Sequence, residues 1–266
     1  MQKINLKLYE LDSLKRYYPH TRTLNAESKL YIYPQNNKKR ILKVFNDMNN
    51  NKLLTIKLIN KYKDDINIKE LALESDLVFI ENKPKGIVSD YIDGTILSNI
   101  IYNKKIPLDY KIDILKKVGN VLSRMKNIRN HINDFYIGDL HEDNIIVHNN
   151  DIKIMDMDSS KIMHNKPFPS KYLTRMAKRK KYTSYLVEPN EYTDNYCFNM
   201  MILNALFSKD ISKLRIEDFY KHIDYLKAIG VDSNLINNFY NMYNDNTLNL
   251  YTELDSLKKC KKIYLK

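Results

Sequence analysis

The strongest constraint on the fold lies in residues 137–160, which read IGDLHEDNIIVHNNDIKIMDMDSS. Two short apolar runs, NIIV and IKIM, flank the polar stretch HNND, and this pattern predicts two strands joined by a turn. Such a hairpin would return Asp156 to a place beside Asn144, shortly after Asp139 in the preceding loop. Because the apolar residues would bury the hairpin, it would fix the polar side chains on a rigid element, as a site requires.

The oxygen-bearing side chains of this hairpin suit the chemistry of phosphoryl transfer. That reaction needs metal ions held against the phosphates and a group that orients the attacking hydroxyl. Mg²⁺ prefers hard oxygen ligands, usually one or two carboxylates together with phosphates and waters. Asn144 and Asp156 are therefore candidate metal ligands.

The first part of the chain is expected to be rich in strands. β-branched and aromatic runs within residues 29–45 flank a polar turn at 34–38, which predicts a β-hairpin. Residues 47–63 carry apolar side chains at helical spacing. Residues 77–92 are typical of strand, turn and strand, with NKPKG as the turn.

The pattern becomes helical beyond Asp93. Pro107 precedes a long run in which apolar residues recur three and four positions apart, which predicts an amphipathic helix. Residues 193–207 are apolar on all sides and predict a buried helix, with Thr193 or Asp194 as its N-cap. More helices are expected towards the end of the chain.

The division near Asp93 defines the expected organisation. The chain has 266 residues, enough for one large domain or two small lobes, and its 43% hydrophobic and 29% charged residues predict a folded protein. We expect an α+β fold with a strand-rich part at residues 1–93 and a larger helical part at residues 94–266.

Five motifs give this outline a family resemblance. DLHEDN, residues 139–144, fits the D-L-x-x-x-N catalytic loop of the protein-kinase superfamily, and MDMD falls where that superfamily places a second metal-binding Asp, usually in D-F-G. ILKVF, which contains Lys43, resembles the third-strand lysine motif V-A-I-K. GIVSDYIDG resembles the strand and hinge between the lobes, and TDNYCFNMMILNALF the helix whose Asp braces the catalytic loop. The GDLHxxN form is similar to bacterial and phage kinase-like proteins and to the related aminoglycoside and choline phosphotransferases.

The resemblance implies a bilobal protein-kinase-like fold that uses ATP with Mg²⁺ or Mn²⁺. It implies that Asp139 is the catalytic base or orients the acceptor hydroxyl. Asn144 and Asp156 would hold the metal, Lys43 would contact the α- and β-phosphates, and Asp194 would brace the catalytic loop.

The resemblance also implies where the nucleotide base lies. Backbone groups near Asp90 and Ile92 would receive adenine, with Ile146 on the floor of the pocket. His141 occupies the position of the catalytic-loop lysine of many protein kinases. It would then meet the transferred phosphate, while a structural or an exposed histidine is the alternative.

Three features depart from the family pattern. The first glycine is Gly86, so the turn that would cover the phosphates, near residues 24–29, contains no glycine. Asp158 replaces the D-F-G glycine and is either a third carboxylate for the metals or a cap of the following turn. The helix after Lys43 contains no Glu. The acids near it, any of which could pair with Lys43, are Asp47, Asp64, Asp65, Glu70 and Glu74.

The segment at residues 161–191 bears on the acceptor. It contains RMAKRKKYTSYLVEP, a cluster of cations beside hydroxyl residues, and TSYLVEP faintly resembles the T-P-E-Y…A-P-E docking stretch of protein kinases. Such a cluster could attract an acidic substrate or bind phosphorylated hydroxyls. These features favour a Ser/Thr protein kinase. The alternatives are a small-molecule kinase of the aminoglycoside or choline type and a pseudokinase that acts as a binding module.

The composition gives weaker expectations about partners and location. The net charge of +12 suits nucleic acid, a membrane surface or a phosphorylated ligand, but it also fits a compositional bias towards Lys, Asn, Ile and Tyr. Because the nucleic-acid role rests on charge alone, it is disfavoured. The chain shows neither a run of roughly 18 apolar residues nor a signal-peptide core, and Cys197 and Cys260 form no zinc cluster. We expect a cytoplasmic protein, in the host cytoplasm if a virus or phage encodes it, without a membrane partner.

Overall fold

A mixed five-stranded sheet organises the N-terminal part of the α+β fold in the computed structural model of the protein. The structure describes residues 2–17, 27–73, 75–166, 172–173, 175, 188–244 and 246–259. The strands of this sheet are β1 (Lys3–Leu6), β2 (Ser28–Gln35), β3 (Lys38–Phe45), β4 (Asp76–Ile80) and β5 (Lys83–Asp90). Their order is β1-β4-β5-β3-β2, with β1 parallel to β4 and the other pairs antiparallel.

Both antiparallel hairpins of this sheet turn through residues with positive φ. Asn36 and Asn37 lie between β2 and β3 with φ of 51° and 59°, which confirms the predicted turn. Asn is favoured there because tight two-residue hairpin turns require positive φ. The second turn, expected at NKPKG, lies at Glu81 and Asn82 and so overlaps the expected stretch only at Asn82. Pro84 belongs to β5, where the register with β4 shifts and a missing N–H is tolerated.

The helix predicted after β3 is α2 (Asn50–Ile66). It begins at the N-cap Asn49, whose side chain accepts a hydrogen bond from the Lys52 N–H, and it ends at Asn67 in the left-handed conformation. Its buried face contacts the turn Met157–Ser159 in the helical part of the chain. This contact carries α2 side chains to the acidic end of the predicted site.

The second part of the chain contains a small sheet and most of the helices. Its strands, in spatial order, are β6 (Thr95–Ile96), β7 (Ile145–His148) and β8 (Asp151–Ile154). The helices, which follow α1 (Leu8–Asp12) and α2, are α3 (Leu97–Ile101), α4 (Leu108–Ile128), α5 (Glu191–Phe207), α6 (Ile216–Ala228) and α7 (Ser233–Tyr240). Short 3-10 turns cover Glu142–Asn144, Met157–Ser159, Ile211–Lys213, Asn241–Tyr243 and Glu253–Lys259.

Helices α4 and α5 form the centre of the helical part. α4 begins directly after Pro107, as predicted, and buries its apolar stripe. α5 is buried along nearly its whole length, also as predicted, but its N-cap is Asn190. The expectation that Thr193 or Asp194 caps this helix is wrong, because Thr193 is the third residue of a capping box closed by Asn190. Asp194 is therefore free to point away from the helix end. None of the helices in the described residues is long and apolar enough to cross a membrane.

The hairpin predicted at residues 144–155 is the pair β7 and β8. Asn149 and Asn150 form its turn, with φ of 47° and 66°. β8 is also tied to the segment after α2, because the Ile154 N–H donates to the Glu70 C=O and the Ala72 N–H donates to the Ile154 C=O. These two bonds join the hairpin to the part of the chain that precedes β4.

Candidate active site

A cavity of about 780 Å³ lies between the five-stranded sheet and the β7–β8 hairpin. Apolar side chains from β2, β3 and β5 line one wall, and Ile146 and Ile152 of the hairpin line the opposite wall. Its volume falls within the range of roughly 300–1,000 Å³ typical of ligand pockets. The predicted nucleotide-binding residues Lys43, Asp90, Ile92 and Ile146 line it, as does the predicted metal ligand Asp156.

Lys43 contacts both carboxylates of the MDMD motif. It lies on β3, opposite Leu30 of β2 and Ile87 of β5, and its side chain is buried. Its Nζ lies 2.9 Å from Asp158 Oδ1 and 3.1 Å from Asp156 Oδ1. Burial alone would lower the pKa of Lys43, but the two carboxylates outweigh burial and raise the pKa well above its usual value. Lys43 therefore remains an ammonium group.

The two aspartates of this motif face different surroundings. Asp156 adopts a left-handed conformation, with φ of 58°, and begins the 3-10 turn Met157–Ser159. The turn leaves the Asp156 side chain 42% exposed on the cavity wall, whereas the Asp158 side chain is 2% exposed. Asp156 is accessible to a ligand in the cavity. Asp158 also belongs to the cavity lining, but its side chain is almost fully enclosed by protein.

The α2 residue that reaches this site is a lysine. Lys52 Nζ lies 3.4 Å from Asp158 Oδ2 and 2.8 Å from Glu27 Oε2, and its side chain is 1% exposed. The acids considered as partners of Lys43 in this region do not take that role among the described contacts. Glu70 pairs with Arg124 at 2.6 Å, and Glu74 lies outside the described residues.

Lys52 is a site residue that the sequence analysis missed, although a signal for it exists. Lys52, Ile56 and Ile59 follow helical spacing of four and three residues, and all three are buried on the same face of α2. A lysine on the apolar stripe of an amphipathic helix needs a buried counter-charge. The counter-charge, Asp158, lies more than 100 positions away, so the sequence could not identify it.

Asp194 holds the start of the loop at residues 137–144. Its carboxylate accepts hydrogen bonds from the Ile137 N–H at 3.0 Å and the Gly138 N–H at 3.3 Å, which is the bracing contact that the resemblance implied. Burial raises the pKa of Asp194 to about 6, against the opposing influence of the two N–H donors and of Arg129. Gly138 has φ of 76°, and a Cβ there would lie 2.7 Å from the Ser159 carbonyl oxygen. Only glycine fits this bend without strain.

Asp139, His141 and Asn144 form one hydrogen-bonded group beyond Gly138. Asn144 Nδ2 donates to the Asp139 carbonyl at 3.0 Å and to Asp139 Oδ2 at 3.2 Å. His141 Nδ1 accepts from the Asp143 N–H at 3.1 Å, so a neutral ring carries its proton on Nε2. That nitrogen lies 3.5 Å from Asp139 Oδ1. His141 is buried, so the expectation of an exposed histidine is wrong.

This group adjoins the cavity without lining it. The Met155 N–H donates to the Asn144 carbonyl at 2.8 Å, which joins the loop to the residue before Asp156. Because Asn144 Nδ2 faces Asp139, its Oδ1 points away from Asp139 and is an amide oxygen suited to a hard cation. Asp156 supplies a carboxylate, so these two side chains fit the Mg²⁺ that the resemblance implied. Among the described residues, no group of three or more His, Cys, Asp and Glu side chains could hold a metal.

The end of the loop is held by a second buried acid that the sequence analysis missed. Glu142 is 1% exposed and accepts hydrogen bonds from the hydroxyls of Tyr102 and Tyr172. Asn204 of α5 donates to both hydroxyls. Burial, followed by the nearby Glu142 charge, raises the pKa of both tyrosines, which keeps them protonated as donors. Glu142 thus ties the loop at residues 137–144 to α5 and to the described part of the segment after β8.

Two expectations fall partly or wholly outside the described residues. Of the turn expected over the phosphates, residues 24–26 are not described, and Glu27 forms the ion pair with Lys52. The cluster Lys178, Arg179, Lys180 and Lys181 also lies outside the described residues. Lys161 is described, and its Nζ lies 2.7 Å from Glu188 Oε1 and 3.6 Å from Asp134 Oδ2.

Comparison with known proteins adds no family to these observations. No model of a known protein family matches the chain, and no curated protein is significantly similar to it. The likeness to kinases therefore remains a resemblance of sequence motifs.

Proposed function

We propose that the chain is an ATP- and Mg²⁺-dependent phosphotransferase with a bilobal protein-kinase-like fold, in which residues 1–93 are the N-lobe and residues 94–266 the C-lobe. One observation carries the proposal. Lys43 and Asp156, separated by more than 100 positions, meet at 3.1 Å on the wall of one cavity. Asp90, Ile92 and Ile146, which the same resemblance implied as adenine contacts, line the same cavity.

Each residue of the candidate site has a separate role in the proposed reaction. Lys43 offers a permanent positive charge to the nucleotide phosphates, and Asn144 and Asp156 offer oxygen ligands to Mg²⁺, which would neutralise phosphate charge when bound. Asp139 orients the acceptor hydroxyl or takes its proton. The Asn144 amide fixes the Asp139 carboxylate, and the proton on His141 Nε2 faces it. His141 is thereby placed to stabilise negative charge beside Asp139.

We assign a hydroxyl of a protein as the acceptor, in a Ser/Thr protein kinase reaction. The support is the basic segment around residues 178–181, which suits an acidic protein better than a cationic aminoglycoside or choline. The intact group of Asp139, His141 and Asn144 supports catalysis over a role restricted to binding.

The test is transfer of label from γ-labelled ATP in the presence of Mg²⁺ or Mn²⁺. We expect autophosphorylation and labelling of an acidic protein, both lost in the Asp139→Asn variant. Label on a small alcohol or amino sugar alone would indicate a small-molecule kinase. A nucleotide-dependent rise in melting temperature without any transfer would indicate a binding module, and the absence of both would overturn the proposal.

A further inference from the structure

Five charged side chains of alternating sign form a continuous chain beside the cavity. In order they are Glu27, Lys52, Asp158, Lys43 and Asp156, and we call them the charge chain. The successive nitrogen–oxygen distances are 2.8, 3.4, 2.9 and 3.1 Å. The chain joins the residue before β2 to α2, to the turn Met157–Ser159 and to β3. Its two ends, Glu27 and Asp156, are the exposed members, and its middle is buried.

Asp158 lies at the centre of this chain, between two ammonium groups. Its Oδ1 faces Lys43 and its Oδ2 faces Lys52. A metal ion beside either oxygen would lie close to a buried lysine and would have to overcome the repulsion between two cations. Neither the metal role nor the turn-capping role expected for Asp158 explains the two lysines. The surroundings of Asp158 suit a carboxylate that binds the protein's own lysine side chains and not a metal ion.

We propose that Asp158 is a positioning residue, which holds the Lys43 ammonium at the phosphate end of the cavity, and that Lys52 neutralises Asp158 when Lys43 turns towards phosphate. This inference rests on the proposed function, since it assumes that Lys43 binds nucleotide. It assigns the metal to Asn144 and Asp156 and leaves Asp158 out of the metal site.

Lysine needs such a partner because its ammonium sits on a flexible four-carbon stem. α2 offers Lys52 instead of an acid, so the acid that orients Lys43 comes from the turn after Asp156. The position of the buried Asp158 carboxylate between two ammonium groups supports this arrangement, because a buried charge needs an opposite charge beside it. When Lys43 exchanges Asp158 for a phosphate, Lys52 remains as a counter-charge, and no isolated charge is left buried.

A double-mutant cycle on Lys43 and Asp158 tests the positioning role. ATP affinity is measured for the wild type, Asp158→Asn, Lys43→Met and the double variant, in the presence of a chelator. We expect Asp158→Asn to weaken ATP binding about tenfold and to have almost no further effect once Lys43 is Met, because contacting residues that act together are not additive. Equal effects of Asp158→Asn in both backgrounds would overturn the proposal.

A Mg²⁺ titration separates positioning from metal binding. We expect the Mg²⁺ concentration for half-maximal phosphotransfer to be unchanged in Asp158→Asn and raised at least about tenfold in Asp156→Asn, since only the latter loses a metal ligand. A similar rise in both variants would overturn the proposal and make Asp158 a third metal carboxylate.

Lys52 is tested by removing its charge with and without Asp158. We expect Lys52→Met to weaken ATP binding, and the added Asp158→Asn change to restore part of the loss, because it removes the acid that lacks a counter-charge. Lys57→Met, an exposed lysine of the same helix, is the matched control. Weaker ATP binding in the Lys52→Met/Asp158→Asn variant than in Lys52→Met would contradict the role of Lys52. If the Asp158→Asn variant does not fold, the Lys52→Met/Asp158→Asn variant takes its place in the double-mutant cycle with Lys43→Met.

Urea unfolding of the same variants separates failure of this proposal from failure of the proposed function, because it needs neither nucleotide nor acceptor. If the changes at Lys43 and Asp158 have non-additive effects on the free energy of unfolding but the protein transfers no phosphate, the pairing is retained and the kinase function is rejected. Additive unfolding free energies would reject the positioning role, whatever the protein phosphorylates.

Discussion

The loop at residues 137–144 and the charge chain lie side by side but are held by different interactions. In the loop, Asp194 accepts from backbone N–H groups, and Asn144 donates to the backbone and side chain of Asp139. In the charge chain, every link joins two charged side chains. Backbone donors are fixed by the fold, whereas lysines can exchange partners by rotating their side chains. The loop is therefore suited to hold one geometry, and the charge chain to accommodate the arrival of phosphate charge.

The largest expected effect comes from Asp156, the exposed end of the charge chain that lines the cavity. Asp156→Asn should abolish phosphotransfer and loosen metal-dependent nucleotide binding, because losing a metal-bound carboxylate costs several kcal/mol of charge stabilisation. Asn tolerates the left-handed conformation at this position, so the turn should persist. Labelled-ATP transfer across a Mg²⁺ titration measures the loss. Wild-type turnover at wild-type Mg²⁺ would remove Asp156 from the metal site.

The two regions should respond to pH with opposite sign. Burial raises the pKa of Asp194 from 3.8 to about 6, so the folded state binds the proton more tightly than the unfolded state. Its contribution to stability is present below pH 4 and is lost as pH rises through 6, a change of about 3 kcal/mol. Lys43 and Lys52 lower the pKa of Asp158 despite its burial, so the contribution of Asp158 is present at neutral pH and is lost as pH falls.

The Asp194→Asn variant tests that sign difference. The free energy of unfolding of the wild type relative to the variant should decrease from pH 4 to pH 7, because Asn does not ionise. Urea unfolding at each pH measures it. The charged neighbours Arg129 and Glu191 are retained in both proteins, and Asp232→Asn, which keeps a competent N-cap on α7, is the control. Parallel pH curves for the wild type and Asp194→Asn would contradict a raised pKa.

The difference between the two regions also explains what could be predicted from the sequence. The β7–β8 hairpin follows from local alternation and turn residues, and α4 from helical periodicity, because both signals lie within short windows. β1 and α1 were missed, since β1 is stabilised by parallel pairing with β4, about 70 positions away. The N-cap of α5 was misplaced because Thr193 and Asp194 are also good cap residues, while Asn190 closes the capping box.

Residues of the candidate site that belong to one sequence motif could be predicted. Residues whose position depends on an ion pair between distant segments could not. Asp139, Asn144 and Asp156 lie within one short segment, and the local hairpin determines their order in space. The partners of Lys43 and Lys52 depend on how α2 packs against the turn Met157–Ser159, which no local pattern encodes. Glu142 was missed for the same reason, because its tyrosine partners come from distant segments.

The Asp139→Asn variant tests the proposed role of the loop at residues 137–144. We expect turnover to fall roughly 10²-fold or more, the scale of a positioned acid–base group, with nucleotide affinity retained. Asn keeps an oxygen that can accept from Asn144, so the loop should hold its shape. Steady-state kinetics and nucleotide binding are measured on the same preparation. Equal losses of turnover and binding would instead assign Asp139 a folding role.

The smallest expected effect concerns the basic cluster at residues 178–181, whose charges are predicted from the sequence to attract the acceptor. Changing Lys178, Arg179, Lys180 and Lys181 to Gln should lower kcat/KM for an acidic protein by up to about tenfold at low salt, through slower capture. Slow basal ATP hydrolysis should be retained, because ATP depends on Lys43 and the metal ligands. Steady-state kinetics at low and high salt measure both activities.

Salt dependence distinguishes this cluster from the buried charge chain. Charges that act through solvent are screened beyond about 8 Å at physiological ionic strength. If the cluster attracts the acceptor through solvent, the wild type and the quadruple variant should converge as salt is added. The effect of Lys52→Met should persist, because Lys52 is 1% exposed and its partner Asp158 is equally enclosed. A quadruple variant that retains full protein-kinase activity at low salt would show that the cluster takes no part in acceptor capture. A Lys52→Met effect that disappears with salt would show that the charge chain is open to solvent, and the contrast between the two regions would then be wrong.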